Sequence, residues 1–480
     1  MHISQILQRA AQLFPNQLAV VDSGQRISYA QLARRVEKLA AELQRSGITA
    51  GDRIAILDVN SLRFLETYFA AAALDAIFVP LNHRLSEQEL EFIIEDSGSK
   101  IILGDVEAGL SPAHTATEPP IPDIAHLYYT SGTTGIAKGV MLTHNNVCTH
   151  ALAAVAELQL TDQDVWAHIA PMFHLADAWA VFAITWVGGC HVMLPKFEAH
   201  QVLSLFERER ITITNLIPTM LHQMIQCREA TSRDYSSLRM LLSGGAPIAP
   251  RVVEEVIGIF KCEYVQTYGM TETSPYLTLS LLKNHLKNLS VEEQITYRCK
   301  TGRPFLTVDL RVVNDKGEAV PADDKTVGEI WVRGDTVTPG YWNRSEETRA
   351  VFQDGWLKTG DLATIDPAGY VNIVDRKKDM ILSGGENIYS IEVEHALYSH
   401  PKVSQVAVFG VPDDTYGEIV RAAVVLKADQ SATAEELIYY CKQQIASYKA
   451  PKSIDFLSEL PRTGSGKIYK KALRDPFWKR

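Results

Sequence analysis

Residues 124–139 read IAHLYYTSGTTGIAKG, and this stretch decides how the rest of the chain is interpreted. The mostly apolar run 124–128 is followed by eleven residues with three glycines, four Ser/Thr hydroxyls and one lysine, Lys138. Glycines let a backbone turn sharply and approach a ligand closely. Successive N–H groups, helped by hydroxyls and a lysine, form a cradle for an anion. The pattern therefore predicts a strand that leads into a polyphosphate-binding loop.

The loop differs from the common P-loop, in which a Ser/Thr hydroxyl directly after the lysine binds magnesium. Here Ala137 precedes Lys138 and Gly139 follows it, so the usual metal-binding hydroxyl is missing. On composition alone, a Ser/Thr/Gly-rich surface turn is the alternative interpretation of this stretch. The rest of the chain has to decide between the two.

Bulk composition is that of an ordinary globular protein. The chain has 480 residues, of which 46% are hydrophobic and 22% charged, and this length predicts about three domain-sized units. The net charge is −10, from 47 basic and 57 acidic residues. Such a balance gives no general attraction to nucleic acid or to anionic membranes, so anion binding has to come from local sites.

Other bulk features indicate a cytoplasmic protein without a membrane span. The six cysteines are scattered without a Cys-x-x-Cys pair, which predicts free thiols in a reducing compartment. The longest apolar stretch, 68–81, is interrupted by Asp75 and Pro80 and is too short to cross a bilayer. The N-terminus lacks a basic segment followed by an apolar run, so no secretory signal is expected.

The order of periodic segments predicts an α/β fold. Helical patterns alternate with short β-like runs in the first hundred residues, and the alternation continues through 166–265. This rhythm implies a mainly parallel sheet covered by helices. After Arg298 short strand-like runs with Gly and Asp turns are typical of a small antiparallel barrel. The charge cluster 376–379 suits a boundary before a last α+β unit.

Four further clusters follow the glycine loop. They are Ser243–Pro247 (SGGAP), Gln266–Thr273 (QTYGMTET), Gly355–Leu362 (GWLKTGDL) and Pro461–Ile468 (PRTGSGKI). The first two follow predicted strands, at the sheet edge where α/β proteins bind ligands. The third presents an aspartate on a glycine turn, suited to a diol such as ribose, and the fourth a lysine on a glycine loop. Each alone indicates a turn, but their joint occurrence favours a nucleotide site.

With the entry motif Ile27–Leu32 (ISYAQL), these clusters make the sequence resemble the adenylate-forming superfamily of acyl-CoA synthetases, peptide adenylation domains and luciferases. The resemblance covers nearly the whole chain. It implies a large N-terminal domain, residues 1–376, with two α/β lobes plus a small distorted β-barrel. A mobile C-terminal α+β domain would comprise residues 377–480. It also implies that carboxylate and Mg-ATP give acyl-adenylate and pyrophosphate, after which a thiol displaces AMP.

The resemblance implies roles for the residues around ATP. The β- and γ-phosphates would be held by Thr130, Ser131, Gly132, Thr133, Thr134 and Lys138. The nucleoside would be held by Gly245 and Ala246 beside adenine, Tyr268 stacked on it, and Asp361 with Arg376 on the ribose hydroxyls. Thr271 would contact the α-phosphate, Glu272 would hold Mg²⁺, and Lys467 would reach the α-phosphate and the substrate carboxylate.

Three further residues belong to the second half-reaction in this resemblance. Lys378 would be the hinge between two domain arrangements. The loop with Gly384 and Gly385 would then line the pantetheine tunnel of coenzyme A, its glycines fitting a strand that a ligand approaches closely. One departure from the family pattern is Asp75, which stands where many relatives have glycine. Aspartate tolerates a left-handed backbone better than most residues, so the fold need not suffer.

The resemblance also outlines an acyl pocket. His174 would border the substrate carboxylate, with a buried structural histidine as the alternative. The walls would contain Ala176, Asp177, Trp179 and Ala180 on one side and Thr267, Thr273, Ser274 and Pro275 on the other. If it faces the pocket, Asp177 would repel a second carboxylate, and these segments contain no arginine to receive one. We therefore expect a modest, mainly apolar monocarboxylic acid, fatty or aromatic.

The leading hypothesis is an ATP-dependent carboxylate–CoA ligase that uses ATP, Mg²⁺ and coenzyme A and acts as a monomer or homodimer. An alternative is an enzyme that loads an acyl or amino acid onto a carrier protein, because Asp177 could pair with a substrate amine. A third is a catalytically inactive nucleotide-binding protein. The joint presence of Thr271, Glu272, Asp361, Arg376 and Lys467 argues against the third.

Overall fold

The computed structural model describes residues 1–104, 112, 122–131, 137–246, 248–462 and 468–478. The chain divides into two compact units. The first unit comprises Met1–Leu310, Val332–Leu357 and Ala368–Val371, and the second comprises Arg311–Trp331, Lys358–Pro367 and Asn372–Arg480. The second unit thus includes short stretches before residue 377 as well as the predicted C-terminal domain. The functional boundary after residue 376 stays a prediction.

Two mainly parallel sheets form the first unit, as the β-α-β-α rhythm predicts. The larger has nine strands, with a parallel centre and antiparallel strands at both edges. Across the sheet they are Arg303–Pro304, Tyr276–Leu279, Glu263–Gly269, Met240–Gly244, Ile213–Leu216, Val165–His168, Cys190–Met193, Leu18–Asp22 and Gln25–Ser28. The smaller has five strands, Ser99–Leu103, Arg53–Ile56, Ile77–Pro80, Ile124–Ser131 and Ala137–Thr143, of which only the last is antiparallel to its neighbour.

Helices connect the strands of the first unit and end at local sequence signals. Ser28 and Gln31 form a reciprocal capping box at the start of the second helix, which satisfies two otherwise unpaired N–H groups. Asp75 follows the third helix with φ 53°, and its carboxylate pairs with His2 Nε2 at 2.9 Å. The helices are Ser4–Leu13, Tyr29–Arg45, Leu62–Ala73, Glu87–Ser97, His144–Glu157, Leu175–Val187, Ala199–Arg208, Pro218–Gln226, Pro250–Phe260, Val291–Cys299 and Ser345–Val351, with 3-10 turns at Thr271–Thr273 and Asn284–Asn288.

A five-stranded sheet stands where the small barrel was predicted. Its strands are Asp309–Val313, Gly328–Arg333, Phe352–Gln353, Trp356–Ile365 and Val371–Arg376. The rest of the second unit is α+β, as predicted. Its sheet contains Ile381–Ser383, Glu386–Ile388, Val403–Asp413, Gly417–Leu426 and Ser453–Phe456, and its helices are Ser390–Tyr398, Ala434–Gln444 and Lys470–Trp478.

Each unit has its own hydrophobic core. In the first, strands and helices of the larger sheet bury residues such as Leu203, Leu241 and Tyr264. In the second, Ile381, Leu397 and Val424 are fully buried. All six cysteines are free thiols, as predicted. Among the described residues, no helix is both long and apolar enough to cross a membrane.

Candidate functional site

The predicted phosphate loop connects two strands of a hairpin. Ile124–Ser131 and Ala137–Thr143 pair in antiparallel register, with Thr130 opposite Lys138. Residues Gly132, Thr133 and Thr134 of the prediction, and the side chain of Ser131, lie outside the described residues. The hairpin therefore brings two of the six predicted phosphate-binding residues, Thr130 and Lys138, side by side at one end of the smaller sheet.

A cluster of charged groups surrounds Lys138. The Lys138 ammonium forms an ion pair with the Glu347 carboxylate and lies 5.3 Å from the ring centroid of Tyr341. The Tyr341 hydroxyl donates a hydrogen bond to Glu272 Oε1 at 2.8 Å. Lys138 and Glu272, assigned by sequence to phosphate and magnesium, are thus linked through the ring of Tyr341. Sequence reasoning missed Tyr341 and Glu347.

Glu272 is almost completely buried. Its residue is 8% exposed, and its carbonyl oxygen accepts a hydrogen bond from Thr338 N at 2.7 Å. Burial and the Glu272 charge raise the pKa of Tyr341, so the phenol stays protonated and keeps donating to the carboxylate. Mg²⁺ prefers oxygen ligands and is bound by one or two carboxylates together with substrate phosphates. The carboxylate of Glu272 is therefore a suitable ligand for Mg²⁺.

The predicted adenine-binding residues lie at the ends of two adjacent parallel strands. Met240–Gly244 and Glu263–Gly269 pair in register, with Gly244 opposite Thr267. Gly245 and Ala246 follow the first strand and are exposed, and Tyr268 near the end of the second is partly exposed. The Gln266 amide donates to the Ala246 carbonyl at 3.0 Å. A polar segment and an accessible aromatic ring thus occupy the same sheet edge.

The turn after Tyr268 is fixed by close backbone packing. A Cβ on Gly269 would lie 1.9 Å from the Pro275 carbonyl oxygen, so only glycine fits there. The Thr273 hydroxyl donates to the Pro275 carbonyl at 2.5 Å, and Ser274 Oγ donates to the Thr336 carbonyl at 2.8 Å. These hydroxyls, predicted to line a substrate wall, hold the turn that carries Thr271 and Glu272.

The two predicted ribose ligands are brought together in the second unit. Arg376 Nε lies 3.1 Å from Asp361 Oδ1. Arg376 is 53% exposed by side chain and Asp361 only 7%, which leaves the guanidinium accessible beside a fixed carboxylate. Lys377 bridges Asp315 and Glu329 at 3.3 and 3.2 Å.

The hinge and coenzyme A residues also lie in the second unit. Lys378 occupies an exposed turn, directly after the strand Val371–Arg376, and its carbonyl accepts a hydrogen bond from Arg474 at 3.3 Å. Gly384 and Gly385 have φ 60° and 87° and form the two-residue turn between paired Ser383 and Glu386. The glycines belong to a hairpin turn, which corrects the expectation that they lie within a strand.

Lys467, the predicted catalytic lysine, lies outside the described residues. His174 is partly exposed and precedes the helix Leu175–Val187, and its ring packs against Phe173 with centroids 4.7 Å apart. On that helix Ala176 is exposed, whereas Trp179 and Ala180 are buried. The Ala176 carbonyl accepts from the Trp179 indole at 3.2 Å.

Asp177 is fully buried and belongs to a row of hydrogen-bonded polar side chains inside the first unit. Its carboxylate accepts from Trp166 Nε1 at 3.3 Å and lies 2.5 Å from His168 Nδ1. His168 Nε2 lies 3.0 Å from His191 Nδ1. Burial raises the pKa of Asp177, and His168 opposes that rise. Both carboxylate oxygens are engaged, which corrects the hypothesis that Asp177 faces an incoming acid.

The two predicted acyl-pocket walls meet at an aromatic contact. Trp179, on the helix, packs against Tyr276, which directly follows Pro275, with ring centroids 5.2 Å apart. Thr267 is buried and donates to the Ser243 carbonyl at 3.2 Å. Sequence reasoning missed Tyr276, although its position next to the predicted wall residue Pro275 was a usable signal.

The chain matches two family models over most of its length. The model described as AMP-binding enzyme matches residues 7–121 and 107–342. The model described as AMP-binding enzyme C-terminal domain matches residues 392–467. The order of the two matches agrees with the N-terminal and C-terminal parts predicted from the sequence.

Named relatives cover nearly the whole chain. A feruloyl-CoA synthase of an Amycolatopsis species is 39% identical over 495 residues, 98% of each protein. A long-chain-fatty-acid–CoA ligase of Thermus thermophilus is 35% identical over 515 residues, 98% of this chain and 94% of that protein. The solved o-succinylbenzoate CoA synthetase from Bacillus subtilis, in complex with its acyl-adenylate intermediate, has a TM-score of 0.87 and 33% identity, covering 98% of each chain.

Proposed function

We propose that this chain, which belongs to the family of AMP-binding enzymes, is an ATP-dependent carboxylate–CoA ligase. It forms an acyl-adenylate and then an acyl-CoA thioester from a modest, mainly apolar carboxylic acid. The observation that carries the proposal is the linkage of Lys138 to Glu272 through Tyr341, beside the hairpin end predicted to hold polyphosphate. Relatives that cover nearly the whole chain and are named as CoA ligases support it.

In the first half-reaction a carboxylate oxygen attacks the α-phosphorus of ATP. The bond from that phosphorus to the bridging oxygen breaks, and pyrophosphate leaves with its electron pair. Phosphoryl transfer requires mainly positioning and charge stabilisation. Lys138 would neutralise the leaving pyrophosphate, Thr271 would contact the α-phosphate, and Lys467 would hold the attacking carboxylate. Glu272 would hold Mg²⁺, which neutralises phosphate charge when bound.

In the second half-reaction the thiol sulfur of coenzyme A attacks the acyl carbon, loses its proton and releases AMP. Asp361 and Arg376 would keep the ribose in place, and the Gly384–Gly385 turn would approach the pantetheine arm. We propose Lys378 as the hinge for this step, because it occupies an exposed turn directly after Arg376. The oligomeric state and the cytoplasmic location stay predictions.

The structure weakens the carrier-protein alternative. Its support was Asp177 as a partner for a substrate amine, and that carboxylate is engaged by Trp166 and His168. The names of the relatives include both aromatic and long-chain fatty acids, so we propose both classes as candidates for the acid.

The test is a panel of acids incubated with the protein, ATP, Mg²⁺ and coenzyme A. We expect AMP formation that requires both the acid and coenzyme A, and a CoA thioester identified by mass spectrometry. Adenylation without thioester, rescued by a phosphopantetheinylated carrier protein, would support the carrier alternative. Absence of acid-dependent pyrophosphate release across the panel would contradict both.

A further inference from the structure

The side chain of Lys470 joins three segments of the second unit. Its ammonium donates a hydrogen bond to Ser390 Oγ at 2.7 Å and forms an ion pair with Glu394 Oε1 at 2.7 Å. The Ser390 hydroxyl donates to Asp375 Oδ1 at 3.0 Å, and the Ser390 backbone N–H donates to Asp375 Oδ2. Lys470 and Ser390 each begin a helix, and Asp375 lies near the end of a strand. These four residues are called the Lys470 cluster below.

The Lys470 cluster is buried around one ammonium. Asp375 is 1% exposed and Ser390 is fully buried, and the Lys470 side chain is 19% exposed. Burial raises the pKa of Asp375 to about 6, and Lys470 opposes that rise, so this carboxylate is mostly ionised at pH 7. Burial also raises the pKa of Glu394, which Lys470 again opposes. Two buried carboxylates thus share this cation, and an unpaired buried charge is costly.

On one side the cluster adjoins a residue proposed to bind ribose. Asp375 directly precedes Arg376, and the Arg376 backbone N–H donates to Asp375 Oδ1 at 2.7 Å. The Arg376 guanidinium pairs with Asp361 at 3.1 Å. The same carboxylate that accepts from Ser390 therefore also fixes the backbone at the ribose-binding arginine.

On the other side the cluster adjoins the segment that contains Lys467. Lys470 follows Lys467 by three residues. Directly before Lys470, the Tyr469 backbone N–H donates to the Pro461 carbonyl at 2.8 Å, which joins the two ends of that segment. The ammonium of Lys470 therefore anchors the base of the Lys467 segment to Ser390 and, through it, to Asp375.

The cluster also spans the proposed hinge. Asp375 precedes Lys378 in the chain, whereas Ser390 and Lys470 follow it. A large rotation about Lys378 would separate Asp375 from the other two residues, so their contact belongs to only one of the two domain arrangements. In the structure the base of the Lys467 segment is anchored beside the residue that precedes Arg376, which suits adenylation.

We propose that Lys470 is a positioning residue for the first half-reaction. Through Ser390 and Asp375 it holds the base of the segment that contains Lys467 beside the ribose-binding arginine, so that Lys467 is placed at the α-phosphate. In this role Lys470 acts through Lys467 rather than on the substrates. The second half-reaction, in which the thiol displaces AMP, does not use Lys467 and should not need this anchor. The inference rests on the proposed ligase function, because it concerns the adenylation step of that reaction.

The test measures the two half-reactions separately in Lys470→Met, which removes the ammonium and keeps a long side chain. Adenylation is followed as acid-dependent exchange of pyrophosphate into ATP without coenzyme A, with octanoate, palmitate, benzoate and cinnamate as probe acids. Thiolysis is followed as AMP release when coenzyme A is added to supplied acyl-adenylate. We expect the maximal exchange rate to fall by about 10-fold or more, because a misplacement of about 1 Å can cost about 100-fold. The KM for ATP and the rate of thiolysis should stay nearly unchanged.

A second variant and a control accompany this measurement. Ser390→Ala removes only the hydroxyl that links Lys470 to Asp375, and it should cause a smaller loss of adenylation with intact thiolysis. Lys402→Met is the matched control, because Lys402 belongs to the same unit and pairs with Glu436 at 2.8 Å. That variant also loses a lysine–glutamate ion pair, and it should keep both half-reactions at wild-type rates.

Several outcomes contradict the role of Lys470 and leave the ligase function intact. These are an equal loss of both half-reactions in Lys470→Met, unchanged adenylation in that variant, or a selective loss of adenylation in Lys402→Met as well. If circular dichroism shows that Lys470→Met is unfolded, Ser390→Ala decides, and full adenylation in Ser390→Ala overturns the inference. Absence of acid-dependent exchange by the wild-type protein with every probe acid would instead count against the ligase function itself.

Discussion

Tyr341→Phe tests whether the hydroxyl of Tyr341 orients Glu272 for magnesium. The substitution removes one oxygen, which donates to Glu272 Oε1 at 2.8 Å. It keeps the aromatic ring that faces Lys138 at 5.3 Å. Because Tyr341 is 9% exposed and Glu272 is 8% exposed, water has little access to replace the lost hydrogen bond. The variant therefore isolates the contact to the carboxylate.

The size of the effect follows from the type of hydrogen bond. A hydrogen bond to a charged group contributes about 1.5–3 kcal/mol, which corresponds to roughly 10-fold to 100-fold in an equilibrium constant. Groups that orient a metal ligand through a hydrogen bond contribute about 10-fold to 100-fold in metal affinity. We therefore expect the Mg²⁺ concentration for half-maximal ATP binding to rise by about 10-fold or more.

Isothermal titration calorimetry of ATP binding across a Mg²⁺ series measures this shift. Tyr29→Phe is the control for loss of a buried phenol, because Tyr29 is fully buried and its hydroxyl donates to the Gly189 carbonyl at 2.7 Å. Glu272→Gln should weaken Mg-ATP binding further, because it removes the carboxylate itself. If Glu272→Gln weakens binding and Tyr341→Phe leaves it unchanged, the orienting role of Tyr341 is wrong. If neither variant changes the Mg²⁺ dependence, Glu272 is not the metal ligand.

Three other variants probe separate groups. Asp361→Asn should raise the KM for ATP by about 10-fold with little loss of thermal stability, because it removes a charged hydrogen-bond partner of ribose; an unchanged KM would contradict the assignment. Lys467→Ala should abolish adenylation, measured as pyrophosphate release, and spare thiolysis of supplied acyl-adenylate; equal loss of both would refute its role. Burial raises the pKa of Asp375 to about 6, so the folded state binds this proton more tightly than the unfolded state. The stabilisation from this proton is fully present below about pH 4 and is lost as the pH rises through 6. The free energy of unfolding should therefore fall by about 3 kcal/mol over this range. In denaturant unfolding from pH 4 to 7, the free energy of unfolding of Asp375→Asn should depend less on pH than that of the wild type. An equal pH dependence would contradict the raised pKa of Asp375.

The strand that leads into the glycine loop could be predicted from local pattern, whereas Asp361 and Arg376 were assigned to one site by the resemblance to the family. Thr130 and Lys138 are separated by one glycine-rich turn, and antiparallel pairing places them opposite each other. Asp361 and Arg376 lie on successive strands that pair with each other. The sheets followed from the alternation of helical and strand-like runs, which depends on periodicity alone. The strands and helices were predictable because neighbouring residues contain that geometric information.

Long-range contacts could not be predicted in this way. Tyr341 reaches Glu272 across 69 residues of sequence, and no periodic signal links the two. Asp177 lies on the helix Leu175–Val187, in which ten residues are buried. A helix that is apolar on nearly every side gives no amphipathic pattern from which to read which way a side chain points. Its orientation became clear only from the contacts with Trp166 and His168.

The ion pair with Glu347 keeps the charge of Lys138, the lysine that we propose binds phosphate, paired inside the protein. The Lys138 side chain is 16% exposed and that of Glu347 is 38% exposed. A charge in so enclosed a place needs a partner, because an unpaired buried ammonium loses its hydration. Glu347 is the more exposed partner of this pair, so it is the group that another anion can replace at the ammonium. We expect an incoming polyphosphate to replace Glu347, because it brings more negative charge to the same ammonium.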